Sequence, residues 1–169
     1  MINEELKNAF CEQINKELYS EYLYLMMRNR FQEMNLAGFV NWFDVQVQEE
    51  RAHAMGMIDY ISARGESVDF KAIELPKIDG TTPLEIFEQV LEHEQYVTSL
   101  INSLADVAER TKDRAALRFL DWYINEQVEE EESVGSVLTT LKLIQDDKHA
   151  LLMLDKDLAT RVFNQPVIR

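Results

Sequence analysis

The chain has 169 residues with only five glycines and three prolines, which suits one domain, residues 1–169, built from long helices with few turns. Its formal net charge of -14 at pH 7 argues against binding to nucleic acid or to an anionic membrane and favours cations as partners. One cysteine excludes an internal disulfide framework, and the absence of a signal peptide or a run of about eighteen apolar residues leads us to expect a cytoplasmic protein.

The first two predicted helices form an antiparallel pair. Asn3 is a good N-cap for a helix that runs to about Glu33, and a short break then leads into a second helix from about Ala37 to Arg64. Gly65 can adopt the left-handed conformation that ends the second helix. Because the connection between them is short, the two helices must lie side by side in opposite directions.

The connection that follows, residues 65–82, is unusually long for a loop without secondary structure. Extended at about 3.3 Å per residue it reaches about 59 Å, whereas the second helix at about 1.5 Å per residue is only about 42 Å long. The loop can therefore cross the full length of a bundle. This crossing makes the second and third helices parallel, as in a four-helix bundle with one long crossover.

The third helix has the clearest start signal in the chain. Residues 82–85 read Thr-Pro-Leu-Glu and supply an N-cap, a proline at the first helical position and a capping-box glutamate. That helix extends to about Arg110, and a fourth runs from about Asp113 to Ile144. A shorter fifth helix is expected at about residues 147–164. The predicted fold class is therefore all-α, with a four-helix bundle at about residues 4–144.

Four glutamates occupy positions where a core residue is expected. Each has an apolar or aromatic residue seven positions before and seven positions after it, so each carboxylate shares the buried face of its helix. A buried, unpaired carboxylate costs several kcal/mol or becomes neutral. Four of them in one bundle therefore predict bound cations, most simply a pair of metal ions. These residues are Glu17, Glu50, Glu94 and Glu130.

One histidine lies one helical turn after one of these glutamates. Glu50 and His53 have the Glu-x-x-His spacing of carboxylate-bridged di-iron bundles. That motif occurs by chance on many surface helices, so its weight comes from the other three glutamates. Oxygen ligands with one histidine suit divalent iron or manganese, and zinc also fits. A single imidazole makes the two metal positions unequal.

Five blocks of the sequence resemble the bacterial non-haem ferritins, and the resemblance covers essentially the whole chain. The blocks are residues 15–20, 48–53, 93–95, 119–123 and 126–131. The resemblance implies a ferritin-like four-helix bundle with a short fifth helix. It also implies a ferroxidase centre with two iron positions and a third iron position beside them.

The resemblance assigns ligands to each iron position. The first iron is implied to bind Glu17, Glu50 and His53. Glu50 is implied to bridge to a second iron held by Glu94 and Glu130, with Gln127 beside it. The residues implied for the third iron are Glu49, Glu126, Glu129 and Glu130.

Tyr24 matches a family tyrosine next to the centre, where it is either an electron donor or a hydrogen-bond partner; an ordinary core tyrosine is the alternative. Haem is not expected, because the related bacterioferritins resemble Glu-x-x-His in the fourth helix, where this chain has Glu-Gln-Val-Glu at residues 126–129. The resemblance thus points to iron, and not to haem, as the bound group.

The resemblance implies iron storage. Fe(II) is expected to be oxidised by dioxygen or hydrogen peroxide and deposited as ferric mineral inside a hollow shell of 24 chains. Two other readings stay open at this point. One is a di-iron oxidase or peroxidase that stores no iron, and the other is a structural helical protein whose buried glutamates bind no metal.

Overall fold

The computed structural model describes residues 2–168 and is all-α, as the sequence predicts. Within these residues there is no strand, and none of the helices combines the length and hydropathy that crossing a membrane requires. The helices are α1 (Glu4–Glu33), α2 (Ala37–Ala63), α3 (Pro83–Arg110), α4 (Arg114–Ile144) and α5 (Lys148–Leu158).

Side-chain caps explain where most of the helices begin. The side chain of Asn3 accepts a hydrogen bond from the backbone of α1, and Asp113 and Asp147 do the same for α4 and α5. Thr82 and Glu85 form a complete capping box at the start of α3. These caps satisfy backbone N–H groups that have no partner within the helix. The predicted helix starts are confirmed at these four positions.

The helices form two antiparallel pairs that are joined by the crossover. The short turn at residues 34–36 joins α1 to α2, so these two helices run in opposite directions. Helix α3 is also antiparallel to α1, because Phe31 packs against Phe87 at one end of the bundle and Glu5 pairs with Arg110 at the other. Helices α2 and α3 are therefore parallel, which confirms the predicted crossover.

The crossover lies along α1. It begins at Gly65, which has a φ of 81°, and has no regular secondary structure from residue 66 to residue 81. Lys7 Nζ lies 3.1 Å from the carboxylate of Asp69, and Asn15 Nδ2 donates to the carbonyls of Lys71 and Ala72 at 3.3 and 3.2 Å. These contacts follow α1 in the direction of its chain, so the crossover leaves the four inner helix faces free to meet each other.

The core consists of two apolar clusters with a polar layer between them. The α5-side cluster contains Phe31, Phe39, Phe43 and Phe87 together with two leucines of α5. The N-terminal cluster contains Leu6 and Phe10 of α1 and the apolar residues of α2, α3 and α4 at the same level. Nine buried polar side chains form the polar layer: Gln13, Glu17, Ser20, Gln46, Glu50, His53, Glu94, Gln127 and Glu130.

The fifth helix is shorter than predicted: it ends at Leu158 and not near residue 164. Asn41 Nδ2 donates to the carbonyl oxygens of Leu158 and Arg161 at 3.1 and 2.9 Å. These hydrogen bonds tie the end of α5 to α2. The carbonyl oxygen of Leu158 also accepts from the backbone N–H of Arg161 at 3.3 Å, a bond between residues three apart that closes the last turn of the helix. Residues 159–168, the C-terminal segment, then follow α2 towards Gly56, which Ile168 approaches.

The start of α2 depends on α5. Leu36, the N-cap residue, provides no side-chain hydrogen bond, and Asp155 Oδ1 instead accepts from the backbone N–H groups of Gly38 and Phe39 at 2.8 and 3.0 Å. A Cβ atom on Gly38 would lie 1.5 Å from the carbonyl oxygen of Asp155. Glycine is therefore required at residue 38, because α5 approaches the backbone of α2 directly.

Candidate metal centre

The polar layer brings the four glutamates of the apolar stripes into one buried group. Their exposed fractions are between 1% and 4%, and each comes from a different helix of the bundle. Glu50 lies at the middle of the group, since the charges of Glu94, Glu17 and Glu130 all act on its carboxylate. The heptad spacing places each glutamate on the core face of its helix, and the packing of the four helices places all four at one level.

Three side chains on the first helix pair converge most closely. His53 Nδ1 lies 3.7 Å from Glu50 Oε2 and 4.0 Å from Glu17 Oε2. One ligand atom from each residue lies within 4.8 Å of the others. Glu50 Oε2 is buried and has no hydrogen-bond partner. An unpaired buried carboxylate oxygen facing an imidazole nitrogen is a donor set suited to a divalent cation.

Neighbouring side chains hold this group in place. Gln13, one turn before Glu17 on α1, donates to Glu17 Oε1 at 2.8 Å. The ring of His53 packs edge-on against Trp122 and Tyr123, and the hydroxyl of Tyr123 donates to the backbone carbonyl of His53 at 2.8 Å. Helix α4 therefore fixes the part of α2 that carries the imidazole.

On the second helix pair the carboxylates are held by neutral donors. The hydroxyl of Tyr24 donates to Glu94 Oε1, and Gln127 Nε2 lies 3.3 Å from Glu94 Oε2. Gln46 Nε2 donates to Glu130 Oε2 at 3.1 Å, while Gln46 Oε1 has no hydrogen-bond partner. Each of these carboxylates thus already has a hydrogen-bond donor where a cation would bind.

Crowding of buried carboxylates changes their protonation. Burial raises the pKa of Glu50 well above its ordinary value, and the charges of Glu94 and Glu17 raise it further. Burial, together with the charge of Glu130, raises the pKa of Glu94 to about 8. Like charges at this spacing cannot all ionise in a poorly solvated layer, so the empty site retains protons at neutral pH. A bound cation removes that penalty, and its binding releases protons.

A second group of possible ligands shares His53 with the first. His53 Nε2 has no hydrogen-bond partner and lies 3.9 Å from Glu126 Oε1, and Glu130 completes the group. A neutral imidazole that binds a metal through Nδ1 carries its proton on Nε2. With a metal at Nδ1, the ring therefore turns an N–H towards Glu126 and is not a ligand on that side.

The four residues that the resemblance assigned to a third iron lie in different surroundings. Glu126 and Glu130 lie together beside His53, whereas Glu129 is exposed on α4. Glu49 is paired with Arg161 of the C-terminal segment, at 2.7 Å between Oε2 and Nη2. Burial raises the pKa of Glu49 to about 7 although Arg161 opposes it, and the nearby charges of Glu130 and Glu126 add to the increase.

Several residues at the centre were not found from the sequence. Gln13 lies four residues before Glu17, its hydrogen-bond acceptor, and that spacing was a usable signal. Gln46 bonds to Glu130 of another helix, so its spacing from Glu50 does not indicate its partner. His93 Nε2 lies 2.8 Å from Ser20 Oγ, and burial lowers the pKa of His93 to about 4. The contact of Arg161 with Glu49 joins residues 112 positions apart, and no local sequence pattern predicts it.

Comparison with known proteins gives a consistent result. A model of the ferritin-like domain family matches residues 7–144. The chain is 39% identical over 165 residues to a bacterial non-haem ferritin of Staphylococcus saprophyticus, covering 98% of this chain and 99% of that protein. It is 36% identical over 165 residues to a bacterial non-haem ferritin of Staphylococcus aureus, with the same coverage.

Solved structures of similar shape are also ferritins. The fold matches a closed form of the Archaeoglobus fulgidus ferritin, engineered by site-directed mutagenesis, with a TM-score of 0.95 and 47% identity over 97% of this chain and all of that one. It matches an open-pore ferritin of the same archaeon with a TM-score of 0.93 and 48% identity over 96% of this chain and all of that one.

Proposed function

This chain belongs to the ferritin family, and on that premise we propose that it stores iron. Fe(II) is oxidised to Fe(III) at a di-iron ferroxidase centre in the polar layer. The product then moves to a ferric mineral enclosed by a shell of 24 chains. The oxidant is dioxygen or hydrogen peroxide.

The observation that carries this proposal is the group formed by Glu17, Glu50 and His53. Three ligand atoms of types that suit Fe(II), two carboxylate oxygens and an imidazole nitrogen, lie within 4.8 Å of each other, and Glu50 Oε2 has no hydrogen-bond partner. A purely structural bundle has no physical reason to bury this arrangement, because an apolar residue at any of these positions would be more stable.

The three iron positions use unequal sets of side chains. Glu17, Glu50 and His53 bind the first iron, and Glu50 bridges to the second. Glu94 and Glu130 hold the second iron, with Gln127 beside Glu94 and Tyr24 as a hydrogen-bond donor to it. The third position is bounded by carboxylates of α2 and α4: Glu49, Glu126, Glu129 and Glu130.

The carboxylates favour the oxidation step. Two Fe(II) ions lose two electrons in total, and these reduce dioxygen with two protons to hydrogen peroxide, or hydrogen peroxide with two protons to two waters. Carboxylates stabilise Fe(III) more than Fe(II), because the attraction grows with the charge of the cation. Glu94 exchanges its bonds to Tyr24 and Gln127 for a bond to iron when the second ion arrives.

Assembly and mineral formation are tested on the same sample. Light scattering of the purified protein should give about 475 kDa, the mass of 24 chains of 19.8 kDa each. Electron micrographs after addition of Fe(II) in air should show dense cores inside hollow particles. A monomer or dimer that oxidises Fe(II) without forming cores would instead be a di-iron oxidase that stores no iron.

The Glu50→Ala variant tests the centre itself. It removes the carboxylate that both iron positions share, so we expect aerobic Fe(II) oxidation to slow by more than about 100-fold. The matched control is Asp59→Ala, which removes an exposed carboxylate from the same helix and should keep the wild-type rate. Oxidation at the wild-type rate in Glu50→Ala would show that the reaction occurs elsewhere.

A further inference from the structure

The C-terminal segment places one guanidinium against the carboxylates at the edge of the polar layer. Arg161 Nη2 lies 2.7 Å from Glu49 Oε2, and Nη1 donates to the carbonyl of Trp42 at 3.3 Å. The guanidinium also stacks on the ring of Trp42, 4.7 Å from its centroid. The side chains of Arg161 and Glu49 are only 22% and 19% exposed. Three contacts thus fix this arginine on α2.

Within residues 2–168, Arg161 is the only lysine or arginine that forms an ion pair with any residue assigned to the iron positions. Glu126 and Glu130 lie close enough for their charges to act on Glu49. On the inner side of this group, the buried Nε2 of His53 faces Glu126 without a hydrogen-bond partner. Among the described residues, the guanidinium of Arg161 is therefore the only basic side chain that is fixed beside these carboxylates.

A metal ion at this position requires the carboxylate that Arg161 holds. If Glu49 bound both at once, a guanidinium and a divalent cation would lie a few ångströms apart in a partly buried site, where their repulsion is weakly screened. Each cation thus weakens the binding of the other. By linkage, the effect of Arg161 on metal affinity equals the effect of the metal on docking of the segment.

We propose that Arg161 and a divalent metal ion compete for Glu49, so that filling the third iron position releases the C-terminal segment from α2. This inference rests on the third position of the proposed function. It assigns the segment a role in that position's occupancy: the docked segment weakens metal binding at the third position, and bound metal weakens docking of the segment by the same factor.

The first test is metal binding, measured by calorimetry on the assembled, iron-free protein with Zn(II), which undergoes no redox change. The Arg161→Gln variant removes the charge, and we expect about five- to tenfold tighter binding of the third ion than in the wild type. Arg161→Lys keeps the charge and should restore most of the wild-type affinity. Glu49→Gln identifies the third ion, because that binding event should be lost in this variant.

The matched control is Arg64→Gln. Arg64 pairs with Asp113 at the same distance of 2.7 Å, with side chains 22% and 13% exposed, and its guanidinium lies over the ring of Tyr60. It contacts none of the residues assigned to iron, so the third-ion affinity should stay at the wild-type value. Unchanged or weaker binding of the third ion in Arg161→Gln would overturn the competition.

The second test follows hydrogen exchange at the start of the C-terminal segment by mass spectrometry, at residues 159–161, whose backbone N–H groups are hydrogen-bonded in the docked state. In the wild type, Zn(II) should increase exchange in this segment, whereas in Arg161→Gln exchange should be high before any metal is added. No increase in the wild type overturns the inference. If all proteins bind two ions and never a third, the third position itself is wrong; if none binds ions in the bundle, the proposed function fails as well.

Discussion

The two helix pairs of the bundle supply the same number of buried glutamates but hold them in different ways. On the α1–α2 pair, Glu50 Oε2 is unpartnered and faces His53 Nδ1 at 3.7 Å. On the α3–α4 pair, Glu94 already accepts hydrogen bonds from Tyr24 and Gln127. The first pair therefore presents ligand atoms that are ready for a cation, and the second presents atoms that a cation must first free.

This difference shows how a nearly two-fold symmetric bundle can produce an unsymmetric site. The helix backbones place four carboxylates at one level, and two side chains near them decide how each is used. His53 on α2 offers an imidazole nitrogen beside the carboxylates, whereas an amide, Gln127 on α4, offers them only a hydrogen bond. We expect the two metal positions to differ in affinity for this reason, with the first filling before the second.

The largest effect is expected from removing the imidazole and the amide separately. His53→Ala should weaken metal binding at the first position by about 100-fold, because a ligand is lost. Gln127→Ala should weaken binding at the second position by less than about tenfold, because only a hydrogen bond to Glu94 is lost. Anaerobic titration with Co(II), followed by its absorbance, measures both. Equal losses would contradict the difference between the helix pairs.

The next effect concerns the stability of the metal-free protein. The pKa of Glu94 is about 8 in the folded chain, above its ordinary value near 4.5. Between these values the folded state holds a proton that the unfolded state releases, so Glu94 lowers stability as pH rises from about 4.5 to 8. Glu94→Gln should therefore stabilise the metal-free protein at pH 8 by about 1–4 kcal/mol.

Thermal unfolding from pH 5 to pH 8 measures this effect. The difference between Glu94→Gln and the wild type should grow with pH and should shrink when Zn(II) is added, because metal binding stabilises only the wild-type carboxylate. The control is Glu92→Gln, an exposed residue on the same helix. A stability difference that does not depend on pH would mean that the effect of Glu94 on stability does not come from its protonation.

A smaller effect on Fe(II) oxidation should distinguish the two buried tyrosines. Each of them donates a hydrogen bond from one helix pair to the other. Tyr24 on α1 donates to the side chain of Glu94, and Tyr123 on α4 donates to the backbone of His53. Substitution of either by phenylalanine should lower stability by about 1 kcal/mol. Only Tyr24→Phe should also slow Fe(II) oxidation, by about three- to tenfold. Equal rates would make Tyr24 an ordinary core tyrosine.

The smallest effect is expected at the buried amides. Gln13→Leu should change metal affinity only at the first position, and Gln46→Leu only at the second, each by about two- to fivefold. Each variant is assigned to one metal position by its hydrogen bond, because Gln13 bonds to Glu17 and Gln46 bonds to Glu130. The Co(II) titration again measures both variants. An exchange of the two effects would show that the assignment of the glutamates to the two irons is reversed.

Much of the fold was predictable because its signals are local. The capping box at residues 82–85 and the glycine at residue 65 act within one helical turn, and the reach of residues 65–82 follows from chain length alone. The four glutamates were visible because a charge within a periodic apolar stripe is a departure from an otherwise regular pattern.

What the sequence did not reveal depends on contacts between distant segments. The end of α5 bonds to Asn41, more than one hundred residues earlier, and the need for glycine at residue 38 is visible only once Asp155 lies against it. The pairing of Arg161 with Glu49 also joins distant segments. Local propensity allows the fifth helix to continue, whereas the folded chain ends it where its last turn meets α2.

The division of the core into two apolar clusters has a consequence for the cooperativity of folding. Apolar packing ties the four helices together at each end, but at the level of the polar layer hydrogen bonds from neutral side chains hold carboxylates whose charges repel one another. Each end can then open as a separate foldon. Metal ions bound in the polar layer as proposed would take ligands from all four helices and hold the two clusters together, so we expect the two foldons to open as one in the metal-loaded protein.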